Sequence, residues 1–245
     1  MAARRVLITG AARGIGAAVA RAFAAAGDTV AVHRRTPAEP DRPDDLLGGG
    51  HTVVAGDLAD PEAVRTLVDR AAEALGGLDV VVNNAAVYIE HRILDVSYEQ
   101  WQRAWHDTLA VDLLAPANVS WCAVRHLGRG GRIINVSSRG AYRGEPDHPA
   151  YGAAKAALNS MTQSLARALA PKGIAVSAVA PGFVATDLVA DLLASPEGDA
   201  IRAQSPFNRV ATPEEVAAAV LHLASPQAEW SSGAVLDLNG ASYFR

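Results

Sequence analysis

Val6-Leu7-Ile8-Thr9-Gly10-Ala11-Ala12-Arg13-Gly14-Ile15-Gly16 is the stretch on which the fold turns. Its first three residues form a short, continuously apolar run, as a strand buried on both faces requires. Glycines follow in the spacing G-x-x-x-G-x-G, and helical periodicity starts at Ile15. A residue without Cβ lets the backbone turn tightly and approach a bound group closely, while the first turn of the helix offers free N–H groups to an anion. Strand, glycine turn and helix in that order match the pyrophosphate-binding start of a dinucleotide fold. The spacing is not the G-x-G-x-x-G fingerprint, so the turn alone also fits a tight strand-to-helix connection with no ligand.

Working outward, apolar runs of strand length recur at residues 29–32, 52–55, 79–82, 132–136, 174–179 and 234–238. Helical periodicity occupies 15–26, 62–75, 100–126, 151–170 and 213–224. The alternation runs from one end of the chain to the other and predicts a single α/β domain over residues 1–245: doubly wound, Rossmann-type, with a seven-stranded, mainly parallel sheet. Ser97 with Gln100, and Thr212 with Pro213 and Glu215, mark two helix starts by supplying an N-cap oxygen and its reciprocal partner. Residues 36–50, rich in Pro, Asp and Gly, read as a loop between the second and third strands. Residues 182–209 follow the sixth strand and mix apolar side chains with Gly, Ser and Pro. They read as a mobile lid over a ligand, or else as a surface excursion with a small amphipathic helix.

The composition narrows the function classes. Half of the 245 residues are hydrophobic, ample for a core, although only 5% are aromatic. Lys+Arg 22 against Asp+Glu 26 gives a net charge of −4 and no global field for nucleic acid or an anionic membrane. The lone Cys122 cannot form an internal disulfide, and no Cys/His cluster has zinc-site spacing, so no metal is expected. Residues 1–5 lead straight into a strand-like run with no room for a signal peptide, and no apolar run reaches membrane-spanning length. A cytoplasmic protein is the expectation.

The cofactor reading comes from the end of the second strand. About twenty residues past the glycine loop, where an NAD site places a carboxylate on the ribose hydroxyls, stand His33-Arg34-Arg35. Guanidinium groups bind a 2′-phosphate bidentately where a carboxylate would repel it. Arg13 in the loop adds a cation on the same side, so NADP(H) is favoured over NAD. Asp57, after the third strand, either accepts from an adenine amino group or caps the helix that starts near Pro61.

Tyr151 and Lys155 lie four residues apart at the start of a helix, on one face and one turn apart. A neighbouring ammonium favours the phenolate, which makes such a pair a tunable acid/base.

Taken with the loop at residues 9–16, Asp57, Asn83-Asn84-Ala85, Ser138, and Pro181-Gly182 with Thr186, this pair makes the chain resemble the short-chain dehydrogenases/reductases along nearly its whole length. The resemblance extends to their 3-oxoacyl-[acyl-carrier-protein] reductase-like members. It implies that Ser138 hydrogen-bonds the substrate oxygen, that Tyr151 passes a proton to or from it, and that Lys155 binds the nicotinamide ribose and lowers the Tyr151 pKa. It implies a cofactor site of Gly10, Arg13, Gly14, Ile15, Gly16, His33, Arg34, Arg35, Asp57, Leu58, Asn84, Ala85, Tyr151, Lys155, Pro181, Gly182, Val184 and Thr186. Asn83 and Ala85 are expected on the adenosine side.

Two departures stand out. Ala86 replaces a glycine common after Asn-Asn-Ala, and Asp112 occupies the place of an asparagine that organises a water path from the lysine. Asp112 reads either as a fourth catalytic member or as a helix carboxylate with a local structural partner.

The activity implied is hydride transfer between nicotinamide and a carbonyl or secondary alcohol. The substrate is either a 3-oxoacyl thioester, with Arg129 and Lys172 attracting an acidic carrier, or a small ketone, sugar, steroid or polyketide. A non-catalytic NADP sensor is the reading from another class. Tyr88, Ile89, His91, Arg139, Tyr142, His148 and Phe183 are the candidates to face substrate; Arg139, directly after Ser138, reads as a contact for an anionic substrate or, in preference, as a solvent-facing side chain. The resemblance suggests a homotetramer or homodimer.

Overall fold

In a computed structural model that describes residues 3–36 and 51–245, strands β1 (Arg5–Ile8), β2 (Thr29–Arg34), β3 (Thr52–Ala55), β4 (Leu78–Asn83), β5 (Leu127–Val136), β6 (Ala175–Pro181) and β7 (Val235–Leu238) form one sheet. Their order is β3-β2-β1-β4-β5-β6-β7, and every pairing is parallel. The chain winds outward from β1 to β3, then returns past β1 and winds the other way from β4 to β7. The order therefore reverses between β1 and β4, where a crevice opens beyond the carboxyl ends of the strands. The expected loop at 36–50 falls, apart from Thr36, outside the described residues.

Because strand side chains alternate between faces, Val6, Ile8, Val30, Val32, Val80 and Val82 face one layer. Leu7, Ala31, Val81, Ile133 and Val176 face the other. Helices Gly14–Ala25 and Pro213–Leu223 cover the first face, while Pro61–Leu75, Ala115–Ala123 and Pro149–Leu169 cover the second. Both expected capping boxes are present, on Ser97 with Gln100 and on Thr212 with Glu215. The cap of Pro61–Leu75 is Asp60, whose carboxylate accepts from the Glu62 N–H, and not Asp57.

Three elements differ from the sequence expectation. The helix expected at 100–126 breaks into Tyr98–Leu109, a five-residue π turn at Ala110–Leu114, and Ala115–Ala123. Pro116 has no N–H to give the carbonyl of Asp112, four residues back, so a regular α-helix cannot run through this point. The Ala115 N–H donates instead to Ala110 O, five residues back. Strand β5 begins at Leu127 rather than near 132, its first turns hidden in the sequence by Gly128, Gly130 and Gly131. The segment after β6 has structure of its own: Val184 bridges Ala211, and two short helices, Ala190–Ala194 and Glu197–Arg202, are tied by Arg202 donating to Leu193 O at 2.9 and 3.1 Å.

Candidate active site

The crevice at the switch point is a cleft of about 660 Å³, walled by the ends of β1, β2, β4, β5 and β6. Its floor is the glycine loop. Gly10 has φ +64°, and a Cβ there would lie 2.8 Å from Ala85 Cα. A Cβ on Gly16 would lie 2.4 Å from both Gly10 O and Asn84 Nδ2. Gly14 also has positive φ, +56°, and faces Thr186. Asn84 holds the loop by donating to Thr9 O and Gly10 O at 2.9 and 3.0 Å, while Thr9 Oγ1 accepts from the Asn84 and Ala85 N–H groups. Asn83 does not reach the cleft. Its side chain points into the protein and donates to Asn135 Oδ1 at 2.8 Å and to Ser120 Oγ at 3.3 Å. The strand pleat sends consecutive residues to opposite sides, so only one of two adjacent asparagines can face the loop.

At the β2 end the cleft is lined by Arg13, His33, Arg34, Arg35, Asp57 and Leu58. Arg13 and Arg35 are exposed and Arg34 is half-buried. His33 is different: it is 3% exposed, accepts from the Gly10 N–H on Nδ1 at 3.1 Å, and donates from Nε2 to Gly56 O at 2.9 Å. Burial lowers its pKa, so the ring is neutral at pH 7 and acts as a clamp between the glycine loop and β3, not as a cation for phosphate. Asp57 faces the cleft and accepts from the Ala59 N–H at 2.9 Å. Ile15, Ala85, Pro181, Gly182, Val184 and Thr186 complete the walls.

Ser138, Tyr151 and Lys155 meet at the other end of the cleft. Ser138 follows β5, accepts from the Gly140 N–H at 3.0 Å, and hydrogen-bonds the Tyr151 phenol. Lys155 is 2% exposed; its Nζ donates to Val136 O at 3.2 Å and lies 5.4 Å from the centre of the Tyr151 ring. Asp112, fully buried in the π turn, places Oδ2 3.5 Å from Lys155 Nζ and accepts from the Val87 N–H on Oδ1 at 2.8 Å. It stands behind Lys155 and off the cleft wall, so it touches the lysine and not the cleft. Burial pushes the Asp112 carboxyl above the usual carboxylate range despite the nearby ammonium. Tyr151 likewise differs from expectation. Burial, reinforced by the charge of Asp112, holds the phenol above its ordinary pKa, and only the Ser138 hydrogen bond pulls it down.

Of the side chains expected to face substrate, Tyr88, Arg139 and Phe183 line the cleft. His148 stacks on Tyr88 with ring centres 3.5 Å apart, and Tyr88 meets the edge of Tyr151 at 4.9 Å. Burial pushes the Tyr88 hydroxyl up to about 12. Tyr142 packs under Arg245, away from the cleft. His91 is 1% exposed and ties the loop after β4 to the catalytic helix: Nδ1–H donates to Ile89 O at 2.7 Å and Nε2 accepts from the Ala150 N–H at 3.2 Å. A helix cap supplied by a distant histidine has no sequence signature. Glu145, also missed from sequence, lines the cleft and accepts from the Tyr88 hydroxyl. Among the described residues no group of His, Cys, Asp and Glu has metal-binding geometry, and no helix is long and apolar enough to cross a membrane.

A parallel sheet with the 3-2-1-4-5-6-7 order, a glycine cradle at its switch point and a Ser-Tyr-Lys set at the cleft end define a nucleotide-dependent oxidoreductase scaffold. A family model described as "Enoyl-(Acyl carrier protein) reductase" matches residues 10–240. The 3-oxoacyl-[acyl-carrier-protein] reductase of Vibrio cholerae is 34% identical over 97% of this chain and 96% of its own. A cis-4-hydroxycyclohexanecarboxylate dehydrogenase of Sinomonas cyclohexanicum is 39% identical over 98% of this chain and 96% of its own. Among solved structures, a short-chain dehydrogenase of Burkholderia cenocepacia in complex with NADP superposes with TM-score 0.87 at 37% identity, covering 98% of this chain and 97% of that one. The chain belongs to the short-chain dehydrogenase/reductase family, and to the part of it related to 3-oxoacyl-[acyl-carrier-protein] reductases.

Proposed function

We propose that the cleft binds NADP(H) and that the protein interconverts a carbonyl and a secondary alcohol, with Tyr151 as the group that gives or takes the proton. The observation that carries this reading is the contact of the Ser138 hydroxyl with the Tyr151 phenol at one end of a cleft whose other end is a glycine cradle. The cradle fits a dinucleotide: Gly10 and Gly16 let the loop turn and pack against Ala85 and Asn84 where any Cβ would collide, and the start of helix Gly14–Ala25 faces the cleft with free N–H groups. When bound, the nicotinamide supplies or accepts the hydride. Ser138 then holds the substrate oxygen and steadies the charge that develops on it. Tyr151 protonates that oxygen in reduction. Lys155 lies within the same pocket wall for the ribose, and Val184 and Thr186 position the carboxamide and phosphate end. Residues 182–209 act as the lid.

Arg13, Arg34 and Arg35 make the 2′-phosphate form the preferred cofactor. Replacing Arg34 and Arg35 together by serine is expected to raise KM for NADPH about 100-fold, since a hydrogen bond to a charged group contributes about 1.5–3 kcal/mol. An equal loss with NADH would overturn the assignment. The reaction itself is tested by following NADPH oxidation in the presence of a 3-oxoacyl thioester, 4-oxocyclohexanecarboxylate and neutral ketones. Failure of every carbonyl, with NADPH binding intact, would favour a nucleotide sensor.

Three residues separate Tyr151 from Lys155, the spacing of carbonyl reduction; enoyl-reducing relatives usually have six. For a thioester substrate on an acidic carrier, Arg129 and Lys172 are exposed neighbours near the starts of β5 and β6, at the far end of those strands from the cleft of the same chain. A carrier held there would reach the cleft of another copy in a homotetramer or homodimer, which is the assembly we propose, in the cytoplasm. A small ketone bearing a carboxylate is the second reading, and Arg139 is the observation that favours it.

A further inference from the structure

The position after Ser138 carries a charge that the mechanism does not use. Arg139 is 4% exposed, the reverse of the solvent-facing side chain expected from sequence. It lines the main cleft and also a smaller cavity of about 280 Å³ formed with Phe183, Gln204, Ser205, Asn239 and Ser242. Its Nη2 donates to Gln204 Oε1 at 2.8 Å, its Nη1 donates to Ser242 Oγ, and the guanidinium stands 5.5 Å from the centre of the Phe183 ring.

Among the described residues no carboxylate comes within ion-pair distance of Arg139. Glu145 acts on it only at longer range, and burial pushes the Glu145 carboxyl above its usual range toward the neutral form. Glu215, in the smaller cavity, is already engaged by both terminal nitrogens of Arg209, at 2.6 and 2.8 Å. Arg143 lies beside it, its Nη1 sharing Gln204 Oε1 at 3.4 Å, but its Nε is paired with Glu145 Oε1 at 3.7 Å. Two neutral oxygens orient the guanidinium without neutralising it, and a buried cation with no anion beside it is costly unless something supplies one.

We propose that Arg139 receives a carboxylate of the substrate, so that the protein acts on a small oxo- or hydroxycarboxylic acid held between Ser138 at the reacting oxygen and Arg139 at the acid. The planar fork of guanidinium N–H groups matches a carboxylate bidentately. Ser138 and Arg139 both line the main cleft, so one ligand can meet both side chains. Gln204 from the lid and Ser242 from the C-terminal residues hold the guanidinium from opposite sides, which joins lid position to occupancy of this subsite. This inference rests on the proposed carbonyl–alcohol chemistry.

Binding tests it without turnover. The protein saturated with NADP+ is titrated calorimetrically with cyclohexanecarboxylate and with cyclohexanecarboxamide, equal in shape and different in charge. The acid is expected to bind at least about 30-fold more tightly, because breaking a buried charge pair costs upward of 2 kcal/mol. Arg139→Gln, which keeps hydrogen-bond donors, is expected to bring the ratio near one, and Arg139→Lys to retain part of it. Equal affinity for acid and amide in the wild type, or an unchanged ratio in Arg139→Gln, overturns the proposal. Turnover of 4-oxocyclohexanecarboxylate against its methyl ester gives the parallel kinetic ratio. If both are reduced equally, the carboxylate subsite fails while the carbonyl chemistry stands. If no carbonyl is reduced yet acid binding is selective, the chemistry fails and the subsite stands.

Discussion

Tyr151→Phe is expected to lower kcat for ketone reduction by about 10²–10⁴-fold while leaving NADPH affinity close to wild type. The substitution removes one hydroxyl from a half-buried ring that packs against Tyr88. The glycine cradle and the arginines at the other end of the cleft are untouched. On the proposed mechanism only the proton to the substrate oxygen is lost, while Ser138, which hydrogen-bonds the phenol in the wild type, stays in place. Steady-state rates with a reducible ketone, together with a fluorescence titration of NADPH, separate the two effects. Turnover at the wild-type rate would show that the proton comes from elsewhere.

The second large effect concerns Asp112, where two substitutions separate its roles. Asp112→Leu removes the only carboxylate paired with the buried Lys155 among the described residues and leaves the Val87 N–H without its acceptor. Breaking a buried pair costs about 3–5 kcal/mol. At roughly 2–4 °C per kcal/mol for a domain of this size, the Tm should fall by roughly 6–20 °C. Asp112→Asn keeps the shape and the acceptor for Val87 and removes only the charge. The Asp112 charge raises the Tyr151 pKa, so its loss lowers that pKa and populates the phenolate at lower pH. Alcohol oxidation needs the phenolate. Its rise with pH should therefore begin at a lower pH in Asp112→Asn than in the wild type. A rise that stays in place or moves to higher pH would show that Asp112 does not set the tyrosine. A merely structural role would change Tm in both variants and leave the pH profile alone.

Much of this was legible in the sequence because it depends on local rules. The apolar runs located all seven strands, apart from the first five residues of β5, since a strand buried on both faces is mostly apolar. Ser97 and Thr212 announced helix starts because a cap and its partner lie three residues apart. The misreadings share another cause. The helix expected at 100–126 contains Pro116, yet periodicity alone ran through it, and the break at the π turn depends on where the freed backbone groups find partners. The two asparagines after β4 look equivalent as letters. Only the pleat and the packing of Ser120 and Asn135 send Asn83 inward.

The sequence by itself determined the parallel α/β architecture, the glycine cradle and the spacing of Tyr151 and Lys155. Each follows from side-chain pattern and backbone freedom within a few residues. Tertiary structure alone decided the charge state and reach of the groups around that pair. His33 became a neutral clamp because β3 closes over it, and Asp112 became the counter-ion of Lys155 because a π turn aims it there. Arg139 became a buried cation because the lid and the C-terminal residues, separated from it by about 65 and 103 positions, fold across it. Desolvation and charge pairing depend on neighbours distant in the chain, and those neighbours are set only when the whole sheet and its covering segments come together.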